Sequence, residues 1–361
     1  MKNILHIDSE YGWRGGQQQA VYLFEGLLKR GYKTRFVCQP KSKLTKYFKE
    51  KRLPFNEIKM RGEIDIISAF KIASLCKKDN YHILHAHSAH ALSIGILSKL
   101  FYPKIKIIGV RRVDFHLKNN PFSRFKYNTK LVSKIVCISE GIEKILLEDG
   151  VPKTKLRVIH SGINIHKFDE VSKMKNFRKN YQIGQDEIIV GTVAALVGHK
   201  DYPNLLKAAG IVLSKKNNVT FISLGDGKNE ETIKELASNL NLNNKFLFLG
   251  YKSNVGEIIK HFDIFVMASK KEGLGTSILD AQSIGLPVIG TITGGIPEAV
   301  HHNENGLLVP PKNYKELASA ILKLIDDEKL RVDFSKQAKE SVKEFDIELT
   351  IAKNIDLYEK L

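Results

Sequence analysis

A chain of 361 residues, 43% of them hydrophobic and 27% charged, excludes the disordered and fibrous classes and fits two globular domains of about 100 to 200 residues each. Its formal charge of +18 is confined to the first half, where positions 1–180 carry 36 basic and 15 acidic residues, a net of +21, and the rest of the chain nets −3. So basic a half is suited to a polyanion, either nucleic acid or an anionic membrane surface.

Met1–Asp8 reads as a buried strand, too short for the apolar region of a signal peptide. Short apolar runs then alternate with helical patterns. Strands are expected at Ile4–Ile7, Thr34–Cys38, Ile83–His87, Ile105–Val110, Ile135–Ile138 and Leu156–Ile159. The clearest helix is Gly16–Arg30, with Ala20, Leu23, Phe24, Leu27 and Leu28 on one face and Gly31 as its stop. A polar, Lys-rich stretch runs to Gly184, and the alternation restarts with Ile188–Val193, Val219–Leu224, Phe246–Leu249, Ile264–Met267 and Pro287–Ile289. Helices over Tyr314–Ile325 and Lys329–Val342 follow. The pattern predicts an α/β chain of two halves, each a parallel sheet covered by helices, with ligand-binding residues in the loops after the strands' carboxyl ends. Cys38, Cys76 and Cys137 have neither zinc-site nor disulfide-framework spacing, which fits a reducing cytoplasm. No run approaches the ~18 apolar residues of a membrane span, so membrane contact is expected to be peripheral.

The loop after the Ile264 strand concentrates the chemistry. Gly273 and Gly275 let backbone approach a ligand, and the amides of Thr276, Ser277 and Ile278 open a helix whose positive end suits a phosphate. Glu272 precedes this helix and Asp280 lies eight residues on, so the two carboxylates could hold opposite ends of an elongated ligand.

The stretch Glu272-Gly273-Leu274-Gly275-Thr276-Ser277-Ile278-Leu279-Asp280-Ala281 resembles the signature of the retaining glycosyltransferases of family 4. Gly285-Leu286-Pro287, Gly294-Gly295-Ile296-Pro297-Glu298, Asn305-Gly306-Leu307 and Gly225-Asp226-Gly227 continue the family pattern in order. Gly15-Gly16 resembles the family's glycine loop, and His85-Ala86-His87 its His-bearing strand end. The resemblance is dense between Val190 and Pro310 and sparse before.

It implies the GT-B architecture, two Rossmann-like domains facing each other across a cleft. The expected division is an acceptor domain over 1–163, a nucleotide-sugar domain over 164–342, and a helix over 343–361 crossing back to the first domain. It also implies sugar transfer from a nucleotide-sugar donor to a glycan or lipid-linked glycan acceptor of the polysaccharide or lipopolysaccharide type, with retained anomeric configuration. No metal or other cofactor is expected, so Lys, Arg and helix N-termini must meet the leaving diphosphate's charge. The expected catalytic residues are His87, Lys200 and Glu272. Donor binding falls to Gly15, Gly16, Gly225, Gly273, Leu274, Gly275, Thr276, Ser277 and Asp280.

Two positions depart from the family pattern. Ala195 stands five residues before Lys200, where an Arg is common, and Asp280 stands where Glu is usual. His85 and His87 share a strand face, and the resemblance places a sugar-contacting His here; His87, at the carboxyl end, is the better placed. Arg111, Arg112 and Asp114 follow the next strand and are expected in acceptor or charge recognition, either replacing the charge absent at Ala195 or binding an acidic sugar or phosphate. The segment Lys41–Arg52 mixes Leu44, Tyr47 and Phe48 with basic residues at helical spacing, a composition suited to an anionic membrane surface. The expected location is the inner face of the cytoplasmic membrane. A sugar-nucleotide epimerase of the same fold is the nearest alternative. Nucleic acid is not an expected partner, since a nucleic-acid binder would rest on charge alone.

Overall fold

The computed structural model describes residues 1–117, 121–242 and 244–361. They form two compact units. The first comprises Met1–Gly162 and Ile347–Leu361, the second Ile163–Asp346.

The first unit is built on seven parallel strands, β1 (Ile4–Asp8), β2 (Thr34–Cys38), β3 (Phe55–Glu57), β4 (Ile83–Ala86), β5 (Lys106–Arg111), β6 (Lys134–Cys137) and β7 (Leu156–Val158), in the order β3-β2-β1-β4-β5-β6-β7. The second holds six, β8 (Ile188–Val193), β9 (Val219–Leu224), β10 (Phe246–Phe248), β11 (Ile264–Met267), β12 (Val288–Thr291) and β13 (Gly306–Val309), in the order β10-β9-β8-β11-β12-β13. Both are Rossmann-like, because the strand order reverses once, at β1/β4 in one sheet and at β8/β11 in the other. Loops on either side of such a reversal diverge and leave a crevice at the strands' carboxyl ends.

Apolar residues on both faces explain the central strands; Ile4, Leu5, Ile7, Ile264, Phe265 and Val266 are all fully buried. The Gly15–Lys29 helix lays Ala20, Phe24 and Leu27 on the first sheet and ends where Gly31 turns at φ +75°. The Lys43–Glu50 helix is a correction. Its Leu44 and Phe48 are fully buried with Phe24 and Phe36, and its Tyr47 hydroxyl donates to Glu25 at 2.7 Å, so its apolar face belongs to the core and is not free for a membrane. All three cysteines are buried and free.

The chain leaves and re-enters the first unit at neighbouring points. Buried Gln19 grips Gly162 from both sides, donating to its carbonyl at 2.6 Å and accepting from its N–H at 3.1 Å. Gly162 lies so near Ile347 that a Cβ on it would stand 2.8 Å from the Ile347 Cα. In the second unit, Ile163 N–H donates to Phe345 O at 2.9 Å. The turn Val342–Phe345 belongs to this unit, so the second boundary falls at Asp346/Ile347 rather than at 342/343. The Ile347–Glu359 helix packs on the Gly15–Lys29 helix.

Candidate functional site

Polar residues gather at the carboxyl ends of both sheets. In the second unit, Lys200 closes a 3-10 turn, Gly198–Lys200, that follows β8, and Glu272 lies in the loop after the adjacent β11. Lys270 N–H donates to His199 O at 2.9 Å and ties turn to loop. The Lys200 ammonium is ion-paired with the Glu272 carboxylate, each side chain only 14% exposed, and Ser269 Oγ donates to the same carboxylate at 3.3 Å. Desolvation of both charges strengthens their attraction, and an arriving ligand must compete with it.

Glycines make this loop possible. At φ +52°, a Cβ on Gly294 would stand 1.6 Å from Glu272 O, so the Gly294-Gly295 turn passes directly under the backbone that carries the carboxylate. Gly275, at φ +84°, caps the Thr276–Ser283 helix, whose first turn has no acidic residue and no side-chain cap. Gly273 and Leu274 are buried beneath it, and Thr276 and Ser277 are half-buried. Of the three amides expected to be free, Ile278 N–H donates to Gly275 O at 2.8 Å, which leaves those of Thr276 and Ser277 available to an anion. Gly225 has a structural reason of its own, since a Cβ there would lie 2.3 Å from Ala194 O.

Asp280 is held by Lys167 at 2.5 Å. Burial raises its carboxyl's pKa, and the Lys167 charge opposes the rise. The ribose contact expected of Asp280 thus has a competitor contributed by the segment after β7. A cavity of about 440 Å³, lined by Gly198, Asp201, Asn229, Glu235, Asn239 and Lys270 among others, borders the 198–201 turn without including Lys200 or Glu272.

In the first unit, the alternation of β4 places His85 and His87 on one face, ring centroids 4.5 Å apart. His6, from the neighbouring β1 and in register with His85, joins them; His6 Nδ1 and His87 Nε2 share a 2.8 Å hydrogen bond. His85 Nδ1 pairs with the Tyr358 hydroxyl at 2.6 Å. Burial holds all three imidazoles neutral, with His6 lowered to about 3 and His85 and His87 well below their ordinary value, helped by each other and by Arg112. Among the described residues this is the one grouping whose ligand-type atoms could share a metal ion.

The two arginines after β5 differ sharply. Arg111 donates to Val113 O, Phe115 O and the Tyr127 hydroxyl and stacks on the Tyr127 ring, 5.4 Å from its centroid. It fastens its own loop. Arg112 has no hydrogen bond or ion pair among the described residues, and its Nε is buried. Its aliphatic part runs along Gly16, where a Cβ would lie 3.1 Å from Arg112 Cδ. Asp114, expected beside them, is buried.

Residues 13–167 match the model of "Glycosyltransferase Family 4", and residues 173–341 match "Glycosyl transferases group 1". An uncharacterised glycosyltransferase of Methanocaldococcus jannaschii is 30% identical over 312 residues, 84% of this chain and 82% of that protein. The chain is a family 4 glycosyltransferase. Similar at 25% identity, over 95% of this chain and 96% of the relative, is the N,N'-diacetylbacillosaminyl-diphospho-undecaprenol alpha-1,3-N-acetylgalactosaminyltransferase of Campylobacter jejuni. Anabaena HepE in complex with UDP-glucose superposes with a TM-score of 0.87 at 18% identity, covering all of both chains, which shows the GT-B fold. These findings support a transferase and not the epimerase alternative.

Sequence reasoning brought out Lys200 and Glu272 but missed two residues of the glycosyltransferase that bear on its sites. His6 is the one polar residue inside the first strand's apolar run, a visible signal whose partner depends on the β1/β4 pairing. Lys167 sits in a stretch with no pattern at all.

Proposed function

We propose that this glycosyltransferase moves a sugar from a nucleotide-sugar donor to a glycan or lipid-linked glycan, with retention and without a metal ion. The observation that carries the reading is the half-buried Lys200–Glu272 pair beside the open end of the Thr276–Ser283 helix. A departing nucleoside diphosphate needs positive charge, and an ammonium together with helix amides supplies it. The diphosphate draws Lys200 toward itself, and Glu272, relieved of its partner, is left to accept hydroxyls of the transferred sugar. Asp280 takes the ribose once Lys167 gives way, and His87 contacts the sugar. The UDP-glucose complex of HepE supports a nucleotide-sugar donor, and the Campylobacter relative's diphospho-undecaprenol substrate supports a lipid-linked acceptor.

Transfer from a panel of nucleotide sugars, with the product's anomeric configuration read by NMR, tests the reading. Lys200→Ala is expected to lower the rate by about 10² to 10³. A rate within a few-fold of the unsubstituted enzyme, or an absolute requirement for an added divalent metal, overturns it.

Membrane association at the cytoplasmic face is part of the proposal, through a different surface from the one expected. No helix among the described residues is long and apolar enough to cross a membrane. The outer face of the Ile66–Lys78 helix exposes Ile66, Ile67 and Phe70 in its first half and Lys71, Lys77 and Lys78 beyond. Phe70 meets Phe101, itself exposed beside Leu100, and Ile64 is 72% exposed. Apolar side chains flanked by lysines on a basic unit complement an anionic bilayer.

A further inference from the structure

Inside the first unit lies a small cavity, about 20 Å³, lined by His85, His87, Arg112, His160, Thr350 and Asn354 among others, with apolar residues of β5 and β6. It has room for one oxygen-sized group. Four of its lining residues each keep a buried polar atom without a partner: Arg112 Nε, His85 Nε2, His87 Nδ1 and Asn354 Oδ1. Buried polar atoms are almost always paired, so four among the residues lining one cavity call for a ligand.

Their chemistry narrows that ligand. Each tautomer arrangement of the His6–His87 hydrogen bond leaves one N–H over, on His6 Nε2 in the core or on His87 Nδ1; with a ligand in the cavity beside His87, the first still strands an N–H and the second strands only a lone pair. The second is less costly, because orphaned buried N–H groups are rarer than under-used acceptors. It has His6 Nδ1–H donating to His87 Nε2, which leaves the proton of neutral His87 on Nδ1. The cavity then offers two donors, Arg112 Nε–H and His87 Nδ1–H, and one acceptor, Asn354 Oδ1, while His85 Nε2 adds a donor or an acceptor according to the direction of the His85–Tyr358 bond. No acid neutralises the guanidinium. The nearest, Asp8, is already engaged by Gln17 Nε2 at 3.0 Å and by Glu10 N–H at 2.9 Å. Burial accordingly lowers Arg112 to about 10, and Asp8 only partly opposes this.

We propose that this cavity is an oxyanion subsite, in which Arg112 and His87 bind one carboxylate or phosphate oxygen of a substrate. The assignment rests on the glycosyltransferase reading only for the word substrate; anion binding stands or falls by itself. Two donors and a charge select an oxyanion over a neutral hydroxyl, since a guanidinium bond to an anion is about twice as strong as a neutral one.

The test is binding by calorimetry and thermal shift at fixed ionic strength, with inorganic phosphate, D-glucuronate and D-glucose as probes. Phosphate or glucuronate is expected to bind and raise the melting temperature, while glucose does neither. Phosphate alone points to a phosphorylated substrate, glucuronate alone to an acidic sugar. Arg112→Met is expected to weaken the anion at least tenfold and, having lost an unpaired buried charge, to melt no lower than the unsubstituted protein without ligand. UDP binding should persist in Arg112→Met and weaken in Lys200→Ala, whereas anion binding should persist in Lys200→Ala. If Arg112→Met does not fold, Arg112→Lys decides, with at least a fivefold weakening expected. No binding of either anion, or equal affinity in the arginine variants, overturns the proposal and leaves the cavity to a water molecule. Anion binding by a protein that transfers no sugar would keep the subsite and remove the proposed function.

Discussion

His6, His85 and His87 make acid the sensitive variable at the residue scale. All three are neutral in the folded chain far below pH 6.5, where the unfolded chain begins to protonate. Their contribution is therefore intact above about pH 6.5 and is lost as pH falls, by at most about 1.4 kcal/mol per pH unit for each imidazole. Asp8 and Asp280, raised by burial, take up protons in the folded chain first and offset part of that loss near pH 4. Urea unfolding from pH 7 to pH 4 should show stability falling steadily, and His6→Leu should flatten the slope by about a third. A flat profile would sink the argument. Glu272 was legible in the sequence because it stands in a glycine-rich loop after an apolar strand, and Lys200 because it stands where the family resemblance implies a lysine. The His6–His87 bond was not, because only the β1/β4 pairing creates it, and the Asp280–Lys167 pair was not, because Lys167 lies in a stretch without apolar periodicity.

Two helices show how far periodicity reaches at the scale of elements. Apolar residues at helical spacing place Leu44 and Phe48 on one face, yet the same spacing serves a core or a bilayer. Here the sheet takes that face. The exposed apolar face belongs instead to the Ile66–Lys78 helix, where Asp65 caps the first turn through Ser68 N–H at 3.0 Å and turns Ile66, Ile67 and Phe70 outward. Sedimentation with anionic liposomes at low salt should be weakened by replacing Ile67 and Phe70 with Glu, and should be little changed by Lys43→Glu with Lys46→Glu. Equal losses from both pairs would leave charge alone as the cause. The carboxyl-terminal helix offers a second measurement. On Gly26 a Cβ would meet the tip of Ile351 at 2.3 Å, and on Gly162 it would meet the backbone of Ile347 at 2.8 to 2.9 Å. A side-chain tip can move and a backbone cannot. Gly26→Ala should therefore cost about 1 to 3 kcal/mol, partly offset by alanine's better helix propensity, and Gly162→Ala should cost more, both read from urea midpoints.

For the whole molecule, the restart of alternation at Ile188 announced a second sheet, and the central strands appear within a residue or two of their expected bounds. The strands that escaped, β3 and β13, lie at sheet edges with three and four residues. β3 buries only part of its surface and so carries a weak apolar signal, whereas β13 is largely buried but only four residues long. The order of strands was not legible either, and it is the order that puts β8 beside β11, and with them Lys200 beside Glu272. The side-by-side passage of the chain at Gly162/Ile163 and Asp346/Ile347 has a topological consequence. The second unit is one uninterrupted stretch whose two ends meet, whereas the first is assembled from two pieces that lie 184 residues apart in the chain and close only after the last helix is made. Residues 163–346 are thus nested within the first unit as an insert is within a host. Produced alone, the insert should fold and bind a nucleoside diphosphate, while residues 1–162 alone should stay incomplete until a peptide of residues 347–361 is supplied.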